Sequence, residues 1–337
     1  MIKPSAPLGE FELIQRYFQK AKTNENVLLG IGDDCAIISC HAKNSDDQLA
    51  ISTDMLVEGR HFLPGANPRL LGHKCLAVNL SDLAAMGAKP MAFTLAIALP
   101  SPNPEWLSEF SAGLLALADE HQCSLVGGDT TAGPLTISIT VFGSVNPDKA
   151  LRRSNAKVDD DIWVSHTVGD ARLALGALRH EWSVDPSKLS SVEHRMHAPT
   201  PRVGLGQRLL GLAHAAVDVS DGLLGDLSHI LQLSDLHAEI DIDEVPASDT
   251  LKHQSLELKR LCTLMGGDDY ELCFTASPKN RLAIEQVSKD LHLQLTRIGK
   301  VTPKILGGNM LRLIDADGHD LPKELSQQYF KSFDHFK

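Results

Sequence analysis

The chain has 337 residues, more than one ordinary hydrophobic core accommodates, so we expect two domains. Hydrophobic residues make up 43% and charged residues 22%, the balance of a soluble globular protein, and the net charge of −11 argues against a nucleic-acid-binding protein. The six cysteines form no Cys-x-x-Cys pair and no apolar leader follows Met1, so we expect reduced thiols and a cytoplasmic location.

The first half of the chain alternates helix and strand patterns. Its longest apolar run, 91–99, has the length of a strand and falls far short of a membrane span. Helices are predicted over 8–20, 68–86 and 103–121, and strands over 27–31, 49–52, 91–99, 124–126 and 135–145.

A polar segment, 146–161, holds two arginines and three consecutive aspartates and predicts the boundary between the domains. We therefore divide the chain into an N-terminal domain over 1–148 and a C-terminal domain over 149–337. In the second half, strands are predicted over 161–165, 215–219, 239–242, 270–275, 295–301 and 311–314, and helices over 201–214, 222–233 and 280–291. Mixed helices and strands in both halves indicate α/β or α+β domains.

Nine aspartates stand at the ends of apolar runs, usually beside a small residue. Carboxylates brought together repel one another unless a cation lies between them, and hard divalent cations with phosphate oxygens suit that role. The pattern therefore predicts a Mg²⁺-dependent enzyme that acts on phosphates. The nine residues are Asp33, Asp34, Asp54, Asp82, Asp129, Asp218, Asp221, Asp268 and Asp269.

Two of these motifs lie in the first half of the chain. At the end of a predicted strand, alternation places Ser52 and Asp54 on one side and Thr53 on the other, and a hydroxyl with a carboxylate suits a hard metal. The alternative is an Asx turn or a helix cap. Within an apolar helix pattern, Asn79 and Asp82 share a face, where a charge is costly unless it is paired or bound to metal. The alternative is a salt bridge from this helix to Lys74 or Lys89.

Three further motifs follow strands or precede them. Glycines at 127–128 followed by Asp129 allow a phosphate to approach the backbone, although many tight turns have the same composition. Asp218, Ser220 and Asp221 stand where a strand ends and a helix begins, which suits either a metal–phosphate cluster or a helix cap. The segment 266–269 is either part of the site or a solvated turn, and no P-loop motif is present.

The ordered set of motifs resembles the thiamine-monophosphate kinase family over 9–336. The Asn-Leu-Ser-Asp block at 79–82 and the Asp-Val-Ser-Asp-Gly block at 218–222 are shared with the wider superfamily of aminoimidazole-ribonucleotide and selenophosphate synthetases. The Tyr-Glu-Leu-Cys-Phe block at 270–274 and the tail Phe-Asp-His-Phe at 333–336 point to the thiamine branch. The other matching blocks are Gly-Ile-Gly-Asp-Asp at 30–34, Ser-Thr-Asp at 52–54, His-Phe at 61–62 and Gly-Gly-Asp at 127–129.

This resemblance implies an α/β (α+β) protein with the two-domain aminoimidazole-ribonucleotide synthetase-like fold. An N-terminal α/β domain would bind ATP and metal and dimerise through its strands, and a C-terminal α/β domain would complete the active-site cleft. The implied activity is transfer of the γ-phosphoryl group of ATP to thiamine monophosphate, which gives thiamine diphosphate, the last step of its biosynthesis. The implied partners are ATP, thiamine monophosphate, several Mg²⁺ ions and a second copy of the chain, with no nucleic acid and no membrane.

The resemblance also implies roles for individual residues. The metals would be held by Asp34, Ser52, Thr53, Asp54, Asp82, Asp129, Asp218 and Asp221, of which Asp54, Asp82, Asp129 and Asp218 would be catalytic. ATP would be bound by Gly128, Asp129, Arg153 and Ser220, and thiamine monophosphate by His61, Asp268 and Phe333. The chain departs from the family at Asp268, where glutamate is usual, and at Ser332, where glycine usually precedes the aromatic residue.

Other members of the superfamily are alternatives. A selenophosphate synthetase would carry a reactive cysteine or selenocysteine in a glycine-rich N-terminal stretch, and the hydrogenase-maturation member would end in a functional cysteine, whereas this chain ends in Phe336 and Lys337. A non-catalytic divalent-cation-binding protein is a third alternative, but regular EF-hand spacing is absent. ATP turnover that depends on thiamine monophosphate separates these possibilities.

Overall fold

The computed structural model describes residues 27–29, 32–39, 46–322 and 329. The helix predicted over 8–20 and the candidate residue Phe333 lie outside these residues. Among the described helices, none combines the length and the hydropathy that a membrane span requires.

The first half forms a six-stranded sheet. Its strands are β1 (Val27–Leu29), β2 (Ala36–Ile38), β3 (Gln48–Val57), β4 (Lys89–Leu99), β5 (Ser124–Ala132) and β6 (Thr136–Val145). Their order is β1-β2-β3-β6-β4-β5, and the neighbours are antiparallel except for β4 and β5. Strand β3 continues past Asp54 to Val57, so the prediction that it ends at 53–54 is wrong.

Strand β5 also runs further than its sequence indicates. We expected it to stop at Gly127 and Gly128, but both glycines lie inside the strand. A Cβ atom on Gly128 would lie 1.8 Å from the backbone oxygen of Leu95 on β4. Glycine is therefore required at position 128 because two strand backbones approach closely there, whereas a Cβ atom on Gly127 would meet nothing within 4 Å.

Two helices cover one face of this sheet, α1 (Pro68–Ala85) and α2 (Pro104–Glu120). Each begins with proline in its first turn, after an asparagine whose side chain accepts backbone hydrogen bonds. Helix α1 is buried on nearly all sides, as its apolar pattern predicts, and it packs against α2, β3 and β6.

The second half forms another six-stranded sheet. Its strands are β7 (Asp161–Ser165), β8 (Ala213–Asp218), β9 (His237–Asp241), β10 (Leu272–Ala276), β11 (Leu295–Thr302) and β12 (Leu311–Ile314), in the order β12-β9-β11-β7-β10-β8. Only the pairing of β12 with β9 is parallel among the described strands of this sheet. The prediction of mixed α/β halves is confirmed.

Seven α-helices accompany the second sheet within the described part of the chain. They are α3 (Asp170–Leu178), α4 (Pro186–His197), α5 (Val203–Leu209), α6 (Leu223–Ser234), α7 (Asp249–Lys252), α8 (Leu256–Met265) and α9 (Arg281–Asp290). The helix expected over 201–214 is confined to α5, and α3, α4, α7 and α8 were not predicted.

Helix α1 also contacts the second half, through α5 and β8. A Cβ atom on Gly206 of α5 would lie 2.0 Å from the backbone oxygen of Ala84, so the two helices touch backbone to backbone. This contact brings the end of β8 next to the polar residues of α1.

Candidate active site

Three carboxylates from distant parts of the chain meet between the two sheets. Asp34 lies between β1 and β2, Asp82 lies near the end of α1, and Asp218 is the last residue of β8. One oxygen atom of each lies within 4.8 Å of the others. Asp34 and Asp218 are buried and Asp82 is partly buried. Carboxylate oxygens grouped in this way are the hard ligands that a divalent cation such as Mg²⁺ prefers.

The charges of these carboxylates are costly without a cation. Burial raises the pKa of Asp82 well above its ordinary value, and the neighbouring Asp54, Asp218 and Asp34 raise it further, while a hydrogen bond from Ser52 opposes the shift. Burial and the charge of Asp34 likewise raise the pKa of Asp218. A divalent cation between them would remove both the repulsion and the cost of burial, so the residues present fit a metal.

Strand β3 supports this cluster from one side. The hydroxyl of Ser52 donates a hydrogen bond to the Asp82 carboxylate. The backbone N–H of Asp54 donates to Asn79 Oδ1 at 3.1 Å. Thr53 lies on the other side, with its hydroxyl 2.8 Å from that of Thr140. The predicted alternation is therefore confirmed, and the alternative of a turn or helix cap is wrong because these residues lie inside a strand.

Helix α1 holds Asn79 and Asp82 without the salt bridge that we considered as an alternative. Asn79 is fully buried and donates through Nδ2 to the Cys75 oxygen at 2.9 Å. Lys74 pairs with Asp268 instead, and Lys89 is exposed at the start of β4. Asn79 and Asp82 therefore face β3 and the carboxylate cluster, while Lys74 faces the second half.

Arg153, which we expected to bind ATP, is bound to Asp34, one of the three clustered carboxylates. Its Nε and a terminal nitrogen donate to the two Asp34 oxygens at 2.9 and 2.7 Å, and its backbone N–H donates to Asp33 Oδ2 at 3.2 Å. Burial disfavours the charged form of Arg153, but the carboxylates of Asp34 and Asp33 favour it more strongly, so the pKa of Arg153 is raised. Burial together with the charge of Asp34 raises the pKa of Asp33 to about 7.

The loop after β8 is organised by Asp226, a residue that we did not single out. Its carboxylate accepts hydrogen bonds of 3.1 Å from the backbone N–H groups of Ser220, Asp221 and Gly222. Gly222 precedes α6 and no side chain caps this helix, so a cap by Ser220 or Asp221 is wrong. The sequence signal was an aspartate in the first turn of a helix, where acidic residues are common for other reasons.

Other predicted residues lie outside the group of three. Asp129 is exposed on β5, opposite Ala96 of β4, next to Gly128. His61 follows β3, and its Nδ1 accepts a hydrogen bond of 3.0 Å from the backbone N–H of Val57.

The segment 266–269 is not a solvated turn. Asp269 is buried and accepts a hydrogen bond of 2.7 Å from the Gly169 N–H. Asp268 forms a salt bridge of 2.5 Å with the buried Lys74. Burial and the Asp268 carboxylate raise the pKa of Tyr270, whose side chain hydrogen-bonds to Asp268.

The group that anchors the start of β10 was not predicted from the sequence. Glu271 is fully buried, and its carboxylate binds Arg195 and Arg202 as well as the hydroxyl of Ser165. No local pattern identifies these partners, because Arg195 and Arg202 are 76 and 69 residues away along the chain.

Two family models match the chain in comparisons with known proteins. They are AIR synthase related protein, N-terminal domain, over residues 32–145, and AIR synthase related protein, C-terminal domain, over residues 158–307. Each match contains most of one of the two sheets.

Characterised relatives match over nearly the whole chain. The thiamine-monophosphate kinase of Escherichia coli (strain K12) is 43% identical over 331 residues, 97% of this chain and 98% of that protein. A crystal structure of the thiamine-monophosphate kinase from Stenotrophomonas maltophilia K279a is 44% identical, with a TM-score of 0.76, and the match covers 93% of this chain and 98% of that one. A structure described as AaThiL complexed with AMPPCP and TMP is 28% identical, with a TM-score of 0.80 and coverage of 98% and 97%.

Proposed function

The chain belongs to the thiamine-monophosphate kinase family, and we propose that Asp34, Asp82 and Asp218 hold the Mg²⁺ ions that its reaction uses. The protein is a kinase that phosphorylates thiamine monophosphate with ATP and gives thiamine diphosphate. The family, the fold and the activity predicted from the motifs are thereby confirmed.

The metal site rests on one observation, the convergence of three carboxylates within 4.8 Å in a buried place. We assign the remaining metal contacts to Ser52, Asp54, Asp129 and Asp221 by resemblance to the family. The side chain of Thr53 lies on the other side of β3, where it bonds to Thr140, so it is not assigned the metal contact that the resemblance implied. Asp54 is supported by its charge coupling to Asp82, and Ser52 by its hydrogen bond to the same carboxylate. Bound ions would neutralise the negative charge that two phosphate substrates bring together.

On the donor side, we assign ATP contacts to Gly128, Asp129, Arg153 and Ser220. Support for Ser220 comes from Asp226, which fixes the loop beside the carboxylate cluster. Arg153 is bound to Asp34, so its contribution would be to orient a metal-binding carboxylate as well as to offset phosphate charge.

On the acceptor side, we assign the contacts with thiamine monophosphate to His61, Asp268 and Phe333. The attacking atom is a phosphate oxygen that is already ionised near neutral pH, so no strong general base is required. The side chains of the chain therefore act by positioning two polyanions in line and by screening their repulsion.

We further propose the domain division at 148–149, a cytoplasmic location and a homodimer formed through β5. All nine residues of this edge strand are exposed, and its Leu125 and Val126 are exposed by 43% and 63%. An exposed apolar strand edge is a surface that proteins usually cover.

Purified protein tests the activity directly. With ATP, Mg²⁺ and thiamine monophosphate it should give ADP and thiamine diphosphate in equal amounts, and EDTA should stop the reaction. Turnover that is equal without Mg²⁺, or ATP hydrolysis that ignores thiamine monophosphate, would contradict the proposal.

A further inference from the structure

Lys74 is a buried lysine that joins the two halves of the molecule. It lies on α1 in the first half, and its side chain is only 5% exposed. Its Nζ donates to the Met196 backbone oxygen at 2.9 Å and to Asp268 Oδ2 at 2.5 Å, both in the second half. A buried ammonium group is costly unless it is paired, so these contacts account for its position.

The backbone of the Asp268 segment is fixed independently of Lys74. The N–H groups of Asp268 and Tyr270 donate to the backbone oxygens of Ser220 and Val219 at 2.8 and 2.9 Å. Only the direction of the Asp268 carboxylate therefore depends on side-chain partners, which are Lys74 and Tyr270.

The same helix carries a residue of the metal cluster. Lys74 and Asp82 are eight residues apart on α1, about 12 Å along the helix axis. Helix α1 is buried and continuous from Pro68 to Ala85, so it sets a fixed distance between the carboxylate cluster and the Asp268 carboxylate.

We propose that Lys74 is a positioning residue that orients the Asp268 carboxylate toward thiamine monophosphate, at a fixed distance from the metal site. This inference rests on the proposed acceptor role of Asp268. Lys74 acts through Asp268 and does not contact either substrate. It also supplies a positive charge that offsets the negative charge of the Asp268 carboxylate.

The test compares Lys74→Met and Lys74→Arg with the wild type in steady-state kinetics and in calorimetric titration with thiamine monophosphate. Lys74→Met should raise the KM for thiamine monophosphate and weaken its binding by about tenfold, as expected for one charge-assisted contact, with the KM for ATP changed less than about twofold. Lys74→Arg keeps the charge and should recover part of the loss.

A double-mutant cycle separates positioning from direct contact. In an Asp268→Asn background, Lys74→Met should have little further effect on thiamine monophosphate binding. Additive effects would show that Lys74 contacts the substrate itself, and equal rises in both KM values would show a general disturbance of the cleft. Either result overturns the inference, as does unchanged binding.

Arg260→Met is the matched control, because Arg260 and Asp243 form a comparably buried salt bridge of 2.6 Å in the second half. This variant should lose stability while both KM values remain unchanged. If the wild type neither binds nor phosphorylates thiamine monophosphate, the proposed function fails together with the inference. If the wild type turns over normally and Lys74→Met binds thiamine monophosphate as tightly as the wild type, the inference alone is overturned.

Discussion

The guanidinium group of Arg153 holds the carboxylate of Asp34 through two hydrogen bonds, 2.9 Å from Nε and 2.7 Å from a terminal nitrogen. This bidentate pair fixes both Asp34 oxygens at the point where the segment after β6 passes the first sheet. The geometry links a residue expected at the nucleotide to a residue of the carboxylate cluster.

Replacing Arg153 should therefore affect the metal as well as the nucleotide. Arg153→Ala should raise the Mg²⁺ concentration needed for half-maximal rate and the KM for ATP, by about tenfold each, and leave the KM for thiamine monophosphate nearly unchanged. Titration of the rate with Mg²⁺ and with each substrate measures this. Arg152→Ala is the control, since Arg152 donates to the Pro147 oxygen and not to a carboxylate. A rise confined to thiamine monophosphate would contradict the assignment.

Asp82 should contribute to the rate of phosphoryl transfer and not to the stability of the fold. Asp82→Asn should lower kcat by about a hundredfold or more, because metal-mediated stabilisation of several kcal/mol is lost. Its Tm in EDTA should not fall, because a buried and repelled carboxylate has been replaced by a neutral group. Asp54→Asn should behave similarly. Asp317→Asn, in the exposed trio of Asp315, Asp317 and His319, should leave kcat unchanged. Retained activity with a large loss of Tm would show a structural role for Asp82.

The carboxylate cluster should make the metal-free protein less stable as pH rises. The pKa of Asp33 is raised from 3.8 to about 7, so between these values the folded protein holds a proton that the unfolded chain has released. Unfolding then releases protons, and each unit of rising pH in this window lowers the free energy of unfolding. Asp82 and Asp218 are shifted in the same direction.

Thermal unfolding in EDTA between pH 4 and 8 measures this slope, and Asp33→Asn should reduce it. Added Mg²⁺ should raise Tm more at pH 8 than at pH 5, because protons compete with the metal for the carboxylates. The same dependence of Tm on pH in Asp33→Asn and in the wild type would contradict the prediction.

The acceptor end can be tested by truncating its aromatic side chain. Phe333→Ala should weaken thiamine monophosphate binding by about tenfold, since stacking contributes ~0.5–1.5 kcal/mol beyond area burial. ATP binding should remain nearly intact, and Asp268→Glu, which restores the usual residue of the family, should be tolerated. Calorimetric titration with both ligands measures the difference. Unchanged affinity in Phe333→Ala would remove this residue from the site.

The proposed dimer depends on the exposed edge of β5. Val126→Lys places a charge on this edge and should shift the protein toward the monomer in sedimentation analysis. Leu282→Lys, at an even more exposed apolar position on α9, should leave the oligomeric state unchanged. A wild type that sediments as a monomer would contradict the proposal.

Some elements could be located from sequence because their signals are local. The strands Asp161–Ser165 and Leu311–Ile314 have the predicted bounds, since the first contains a short apolar run and the second alternates apolar residues with Arg312. The prediction ended strand β5 before its glycines, because glycine usually interrupts a strand. Only the close contact with the Leu95 backbone explains why Gly128 lies inside this strand. Helix α4 was missed because its apolar residues are sparse.

The site residues likewise divide into those with a local sequence signal and those without one. Asp82 and Asp218 could be singled out because a carboxylate next to apolar segments is unusual in itself. The partner of Asp268 could not, because Lys74 is 194 residues away and was considered only as a partner within its own helix. Long-range pairing depends on how the two sheets pack, which no local periodicity encodes.

Helix α1 is enclosed by residues from both sheets, and this has a consequence for how the protein forms. Its outer surface stays exposed to water until α5 and β8 have been synthesised and pack against it. The first half emerging from a ribosome therefore has an incomplete core. The first 148 residues expressed alone should therefore aggregate or remain partly ordered. In the full chain, heating should produce one cooperative transition, because residues of both halves build one shared hydrophobic core.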